Sequence, residues 1–217
     1  MTRETTLRPE YLVTSETDLR DLFPPTHDIA IKKALPQLDA HMRDFLARSP
    51  FLCIGTQTPD GQADVSPRGD PRGFVKVLDD QTLLIPDRPG NNRLDTLANI
   101  VANPAVGILF MVPGYDETVR VNGKAQLSRD PALLALLAVN DRTPTVAIVV
   151  RIDEVFLHCA KAFRRSKLWE PTQQQDRAEM PSLPKMILDQ TTGAPDNKAE
   201  MDKIDADLED EYQRTMY

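Results

Sequence analysis

Phe51-Leu52-Cys53-Ile54-Gly55-Thr56-Gln57-Thr58, then Pro59-Asp60-Gly61, then Gln62-Ala63-Asp64-Val65-Ser66 is the stretch whose reading decides the fold. An apolar run of strand length meets a turn whose glycine tolerates positive φ, and the chain returns. The same pattern follows at once: Phe74 to Leu78 reads as a third strand, Asp79-Asp80 as a tight turn, and Thr82 to Pro86 as a fourth strand. Strands joined by turns this short run antiparallel, because a parallel pair needs a long crossover. A parallel nucleotide-binding fold is therefore disfavoured.

Further along, Ala105 to Val112 is a continuous apolar run, predicted as a strand buried on both faces. Glu117 to Leu127 alternates apolar and polar residues, as a half-exposed strand does. Thr145 to His158 reads as a long strand. The tally is about six antiparallel strands with short helices between them. That predicts a mainly β fold with flanking helices, its sheet a closed or split barrel.

Helical signals surround the strands. Ser15 with Asp18 resembles a helix start, stopped by Pro24-Pro25. Ile29, Leu35, Leu38, Met42, Phe45 and Leu46 recur at helical spacing, interrupted at Pro36. They predict two helices lying on the core and ending near Ser49-Pro50. Asn91 or Asn92 can cap a helix whose apolar face is Leu94, Leu97, Ala98 and Val101. Asp130-Pro131 starts another.

This organisation predicts three parts: a helical N-terminal extension over 1–49, its first 14 residues a flexible arm; a barrel domain over 50–170; and an acidic extension over 171–217. The last part carries eleven acidic against five basic residues, most of the net charge of −7. The body is thus near neutral and can hold a locally positive site.

With 41% hydrophobic and 27% charged residues, the 217-residue chain has the composition of a soluble globular protein. Its acidity disfavours a nucleic-acid partner. Met1-Thr2-Arg3-Glu4 shows no leader, and no apolar run approaches 18 residues, so a cytoplasmic protein with no membrane partner is predicted. Cys53 and Cys159 read as reduced thiols. No His/Cys spacing suggests a metal site, and no Gly-x-Ser-x-Gly elbow supports acyl hydrolysis. His41 and His158 sit in apolar patterns and read as structural, so no catalytic residue is assigned.

Three basic clusters carry the chemistry. Ser66-Pro67-Arg68-Gly69 ends one strand. Arg88, Asn91, Asn92 and Arg93 lie at a strand-to-helix junction, where unpaired amides and the helix dipole suit a phosphate. Arg93 in a first helical turn is electrostatically unfavourable, a conflict that a bound anion resolves. The two clusters flank one hairpin, predicted to bring them to the same sheet edge. Lys161, Arg164, Arg165, Lys167 and Trp169 follow the last strand, as a solvated basic helix with an anchoring tryptophan or as a lid on a flat, charged ligand.

The strand ending Ser-Pro-Arg-Gly, then Leu-Ile-Pro-Asp-Arg-Pro-Gly-Asn-Asn-Arg and the late Cys-Ala-Lys-Ala-Phe-Arg-Arg-Ser-Lys-Leu-Trp resemble the pyridoxamine 5′-phosphate oxidase-like superfamily over residues 50–170. The resemblance implies a six-stranded antiparallel split β-barrel and a homodimer with FMN in clefts at the subunit interface. Carried over by motif, Ser66 and Arg68 contact the flavin or its phosphate. Asn92 and Arg93 stand at the family's phosphate-binding basic pair, with Arg88 replacing the charge that Asn92 lacks. Pro67, Ile85 and Pro86 sandwich the ring, and Lys161, Arg164, Arg165 and Trp169 approach it from this subunit or its partner. The implied activity is an FMN-dependent oxidoreductase acting on a small molecule. A flavin carrier or sensor, and a deazaflavin or haem in place of FMN, stand as alternatives. The vitamin-forming oxidases end in a different C-terminal segment, so the pyridoxal substrate is not carried over.

Overall fold

The computed structural model describes residues 7–217. Residues 1–6 lie outside the described residues, and with them the leader reading and the start of the expected flexible arm. The chain divides into two compact units, Met1–Ala34 and Leu35–Tyr217. No helix among the described residues is long and apolar enough to cross a membrane.

In the first unit a 3-10 turn over Pro9–Tyr11 precedes α1 (Glu16–Asp21) and α2 (Asp28–Lys32). Ser15 caps α1 as expected, its Oγ accepting from the Asp18 amide at 3.1 Å. None of the described residues up to Lys32 is buried. Ile29 is exposed on α2, a helix that ends at Lys32 and is separate from the one that carries Met42, Phe45 and Leu46.

The second unit begins with α3 (Ala40–Arg48), whose N-cap Asp39 accepts from the Met42 amide at 2.8 Å. It buries Met42, Phe45 and Leu46 at the spacing the sequence shows. The strands are β1 (Phe51–Gln57), β2 (Ala63–Gly69), β3 (Lys76–Asp79), β4 (Thr82–Pro86), β5 (Ala105–Met111), β6 (Thr118–Ser128) and β7 (Ala147–His158). Between them lie α4 (Asp95–Ala102) and α5 (Pro131–Ala135), and α6 (Lys161–Ser166), α7 (Leu183–Gln190) and α8 (Lys198–Thr215) follow.

The expected six strands are seven, in one antiparallel sheet of order β2-β1-β5-β6-β7-β4-β3. All seven segments read as strands form, one more than the tally of about six. The two early hairpins form as read, but they do not adjoin: β4 pairs with β7, so β2 and β3 sit at opposite ends of the order. Pro67 fits this placement, since a strand proline lacks the ladder donor and belongs at an edge. β5 buries only alternate residues, Val106, Ile108 and Phe110, so it is covered on one face rather than two.

The inner face carries the core, with Leu52 and Ile54 of β1, Ile108 and Phe110 of β5, and Val119 and Val121 of β6. Leu83 and Ile85 of β4 join it from across the sheet. Gly123 sits at the β-bulge between β6 and β7, where a Cβ would overlap the Arg151 carbonyl oxygen. Glycine is required there by close approach of two backbones.

Although the strand order is open, side chains join β2, at one end of it, to the segment just past β4. Arg68 of β2 pairs with Asp87, just past β4, at 2.6 Å. Tracing straight across the register, Arg68 faces Leu52, Phe110, Val119 and then Leu157. Asp87, however, donates its amide to Val146, eleven positions earlier in β7. A stagger of that kind is what strand tilt produces when a sheet curls on itself. No ladder joins β2 to β4. Side chains make the seam.

Candidate functional site

The inner face of β2 and the loop from Asp87 to Leu94 form the candidate site. Ser66 and Arg68 face inward, because they stand opposite the buried Ile54 and Leu52. Alternation sends Pro67 to the other face, opposite Cys53, so it does not share a wall with Arg68. Asp64, also inward, anchors the far end. Its Oδ2 accepts from Thr96 Oγ1 at 3.0 Å and from Thr56 Oγ1 at 3.3 Å. Thr56 Oγ1 in turn accepts from Asn99 Nδ2 at 3.0 Å. Thr96 and Asn99 are buried on α4, so this network fixes the start of α4 beside β2. The loop therefore runs alongside the strand, from Asp87 at Arg68 to Arg93 near Asp64, with Ser66 between.

The basic clusters do come together, but across the seam rather than along one edge. The reason is a reciprocal pair of ion pairs: Arg68 with Asp87, and Arg88 Nε with Asp70 Oδ2 at 2.6 Å. Asp70 is almost wholly buried and also accepts from the Tyr217 phenol at 2.7 Å. That contact, with the Asp70 carboxylate beside it and partial burial, raises the phenol above its ordinary range, against an opposing pull from Arg88. Arg88 further donates to the Leu137 carbonyl at 2.9 Å and lies over the Tyr217 ring. Arg88 is thus turned toward Asp70, Leu137 and Tyr217.

Arg93 is exposed and pairs with Asp95 at 2.7 Å, which raises its pKa from the usual guanidinium value. The expected conflict with the helix dipole is relieved by that acidic residue in the first turn of α4. The capping prediction fails. Leu94, not Asn91 or Asn92, is the N-cap, in the left-handed region at φ 61° and with no side-chain cap. Asn91 instead accepts from the Arg93 amide at 3.1 Å. Asn92 is also left-handed, at φ 56°. Two such residues flanking Arg93 store backbone strain, which marks functional loops more than plain connections.

One donor stands out. Arg68 Nε is buried and has no hydrogen-bond partner. It shares the inner face of β2 with Ser66.

Two expected ring contacts do not hold. Ile85 is a core residue with no exposed surface, and Pro86 is buried opposite Ala147. As neighbours in β4 they point to opposite faces, and each is covered within this chain.

The third cluster lies elsewhere. Lys161, Arg164 and Arg165 are exposed on α6, with Arg164 paired to Asp116 at 3.2 Å. Trp169 donates its indole N–H to the Tyr115 carbonyl at 2.8 Å and stacks on Phe163. Within the chain it anchors α6 to the turn before β6. Asp87 meets the start of β7 and α6 follows its end. A twelve-residue strand rises roughly 37 Å between them. One chain does not unite this cluster with the first two.

Sequence reading missed the carboxylates Asp64, Asp70 and Asp87, although each stands inside or beside a basic motif. Thr56, Asn99 and Tyr217 gave no local signal.

A family model described as pyridoxamine 5′-phosphate oxidase matches residues 38–159. No curated protein sequence matches significantly. Among solved structures, HupZ of Group A Streptococcus is 17% identical at a TM-score of 0.47, covering 55% of this chain and 93% of its own. General stress protein 26 of Bacillus anthracis str. Sterne is 16% identical at 0.42, covering 53% and 88%. An FMN-binding protein of Syntrophomonas wolfei subsp. wolfei is 12% identical at 0.39, covering 60% and 91%.

Proposed function

The chain belongs to the pyridoxamine 5′-phosphate oxidase family, and on that premise we propose that it binds FMN on the inner face of β2 and works as a flavin-dependent oxidoreductase. The observation that carries this is the unpartnered, buried Arg68 Nε. A phosphate oxygen completes that donor, and arginine's fork suits it. Ser66 comes next along the same face, and Arg93 with the uncapped amides at the α4 start lies beyond it by Asp64, so the donors present suit an elongated ligand that carries a phosphate. Asp64, through Thr96, holds the α4 start against β2 and so sets the spacing of the donors.

FMN, when bound, supplies the transfer of a hydride or electron pair; the protein supplies binding, orientation and field. We propose a homodimer in a split-barrel fold, the seam from Arg68 to Asp87 closing each barrel. Lys161, Arg164, Arg165 and Trp169 reach the flavin from the partner subunit, since one chain holds them a strand's length away. The substrate is a small molecule, the location cytoplasmic, with no nucleic-acid or membrane partner.

The test is the visible spectrum of the protein as isolated, followed by titration with FMN. Colourless protein that fails to bind added FMN defeats the proposal, and a haem or deazaflavin spectrum redirects it. A carrier or sensor is favoured by one observation: each carboxylate at the site is already engaged, leaving no evident proton donor. Anaerobic reduction by NAD(P)H and reoxidation by candidate acceptors separates carrier from enzyme.

A further inference from the structure

We infer that Tyr217 is a positioning residue for the phosphate end of the flavin site, and that the acidic extension takes part in cofactor binding through it. The inference rests on the FMN reading above and deepens it. Asp70 sets the requirement. Its side chain is 1% exposed, and a carboxylate so buried is stable only when its oxygens are hydrogen-bonded. Oδ2 accepts from Arg88 Nε at 2.6 Å, and Oδ1 accepts from the Tyr217 phenol at 2.7 Å. The Arg88 guanidinium also lies over the Tyr217 ring, 5.7 Å from its centre. One side chain therefore touches both members of an ion pair, and it comes from 147 residues along the chain from Asp70. Tyr217 stands two residues past the end of α8, a helix that buries Met201 alone among its described residues. A second contact seats it: Arg142, in the turn after α5, donates to the Tyr217 main-chain oxygen.

The pair that Tyr217 braces is locked to the pair that bears the phosphate donor. Arg68 and Asp70 lie two residues apart on one side, Asp87 and Arg88 are consecutive on the other, and each side supplies one acid and one base. Arg88 is thus fixed one residue from Asp87, which holds the guanidinium whose Nε is buried without a partner. Without Tyr217, Asp70 Oδ1 loses its donor and Arg88 loses the ring beneath it. The start of the Asp87–Leu94 loop is then free to shift against β2, and the donors that meet a phosphate are no longer set in advance. Affinity that depends on such preorganisation falls even though no ligand contact has been removed. Only the phosphate end is affected, so the loss separates FMN from riboflavin, the same flavin without its phosphate.

The experiment titrates the full chain, Tyr217→Phe and Tyr217→Leu with FMN and with riboflavin. Tyr217→Phe keeps the ring over Arg88 and loses the bond to Asp70; Tyr217→Leu loses both. FMN affinity is expected to fall about threefold in the first and about tenfold in the second, with riboflavin affinity unchanged in both. Amide exchange in the Asp87–Leu94 loop of flavin-free Tyr217→Leu is expected to quicken. An equal loss of FMN and riboflavin affinity means that Tyr217 supports the fold at large, and overturns the inference. A parent that binds FMN no better than riboflavin removes the phosphate placement and this inference together. A parent that discriminates between the two, with variants that discriminate equally well, removes the inference alone.

Discussion

Asp87→Asn separates two roles of one arginine. Arg68 and Asp87 are 2.6 Å apart, with side chains 18% and 20% exposed. Exposed pairs contribute about 0.2–1 kcal/mol, whereas breaking a buried pair costs about 3–5 kcal/mol. This pair lies between, and asparagine keeps an oxygen that still accepts from Arg68, so a loss of about 2 kcal/mol is reasonable. In a chain of this length that lowers Tm by roughly 4–8 °C. FMN binding is expected to change in the opposite sense. Asp87 competes with phosphate for the same guanidinium, so its neutralisation should tighten FMN binding by up to about tenfold. Arg68→Ala serves as the control: stability and affinity both fall, the affinity by about 1.5–3 kcal/mol. Thermal unfolding of flavin-free protein and FMN fluorescence titration at fixed ionic strength measure the two effects. If D87N weakens FMN binding as R68A does, Asp87 orients Arg68 and does not compete. An unchanged Tm in both variants means the seam is not held by this pair.

Gly123→Ala should destabilise by roughly 3 kcal/mol, because the added Cβ meets backbone that cannot yield; denaturant unfolding checks this, and a neutral result would mean the bulge relaxes. Leu94→Gly should stabilise flavin-free protein by about 1 kcal/mol by releasing left-handed strain, and a lower Tm would show that the Leu94 side chain matters more than its backbone. The Tyr217 phenol has a pKa raised in the folded chain from its ordinary 10.0. Its contribution is therefore complete below about pH 10 and lost as pH rises through the raised value. Unfolding followed from pH 8 to 11 should show this loss in the parent and not in Tyr217→Phe; equal slopes would dissociate the phenol from stability.

What could be read from sequence was local. Turn chemistry at Pro59-Asp60-Gly61 and Asp79-Asp80, and the helix starts at Ser15 and Asp130-Pro131, act within a few residues, and those elements formed as read or nearly so. Pairing of β1 with β5 and of β4 with β7 depends on which buried faces fit together over long separations, which no short motif encodes. The site shows the same division. Residue types at Arg68 and Arg88 were legible, but their partners Asp87, Asp70 and Tyr217 are brought to them by the tertiary fold. Ile85 and Pro86 were misplaced because a strand's face is set by the neighbours it pairs with. The Asn91-Asn92 cap failed because the loop strains Leu94 into the capping position instead.

The seam has a consequence for how the molecule moves. It is held by two ion pairs and the side-chain bonds of Asp64 and Asp70, with no backbone ladder, so it can part without breaking a hydrogen bond between two main chains. Opening there is decoupled from global unfolding and belongs to the low end of the stability range within the fold. Added salt screens the more accessible of the paired charges and so favours opening. A bound phosphate spanning Arg68 and the Asp87–Leu94 loop would act as a clasp across the slit. Its grip would slow β2 amide exchange as well as retain the ligand, so ionic strength becomes a handle on how far β2 and the loop part.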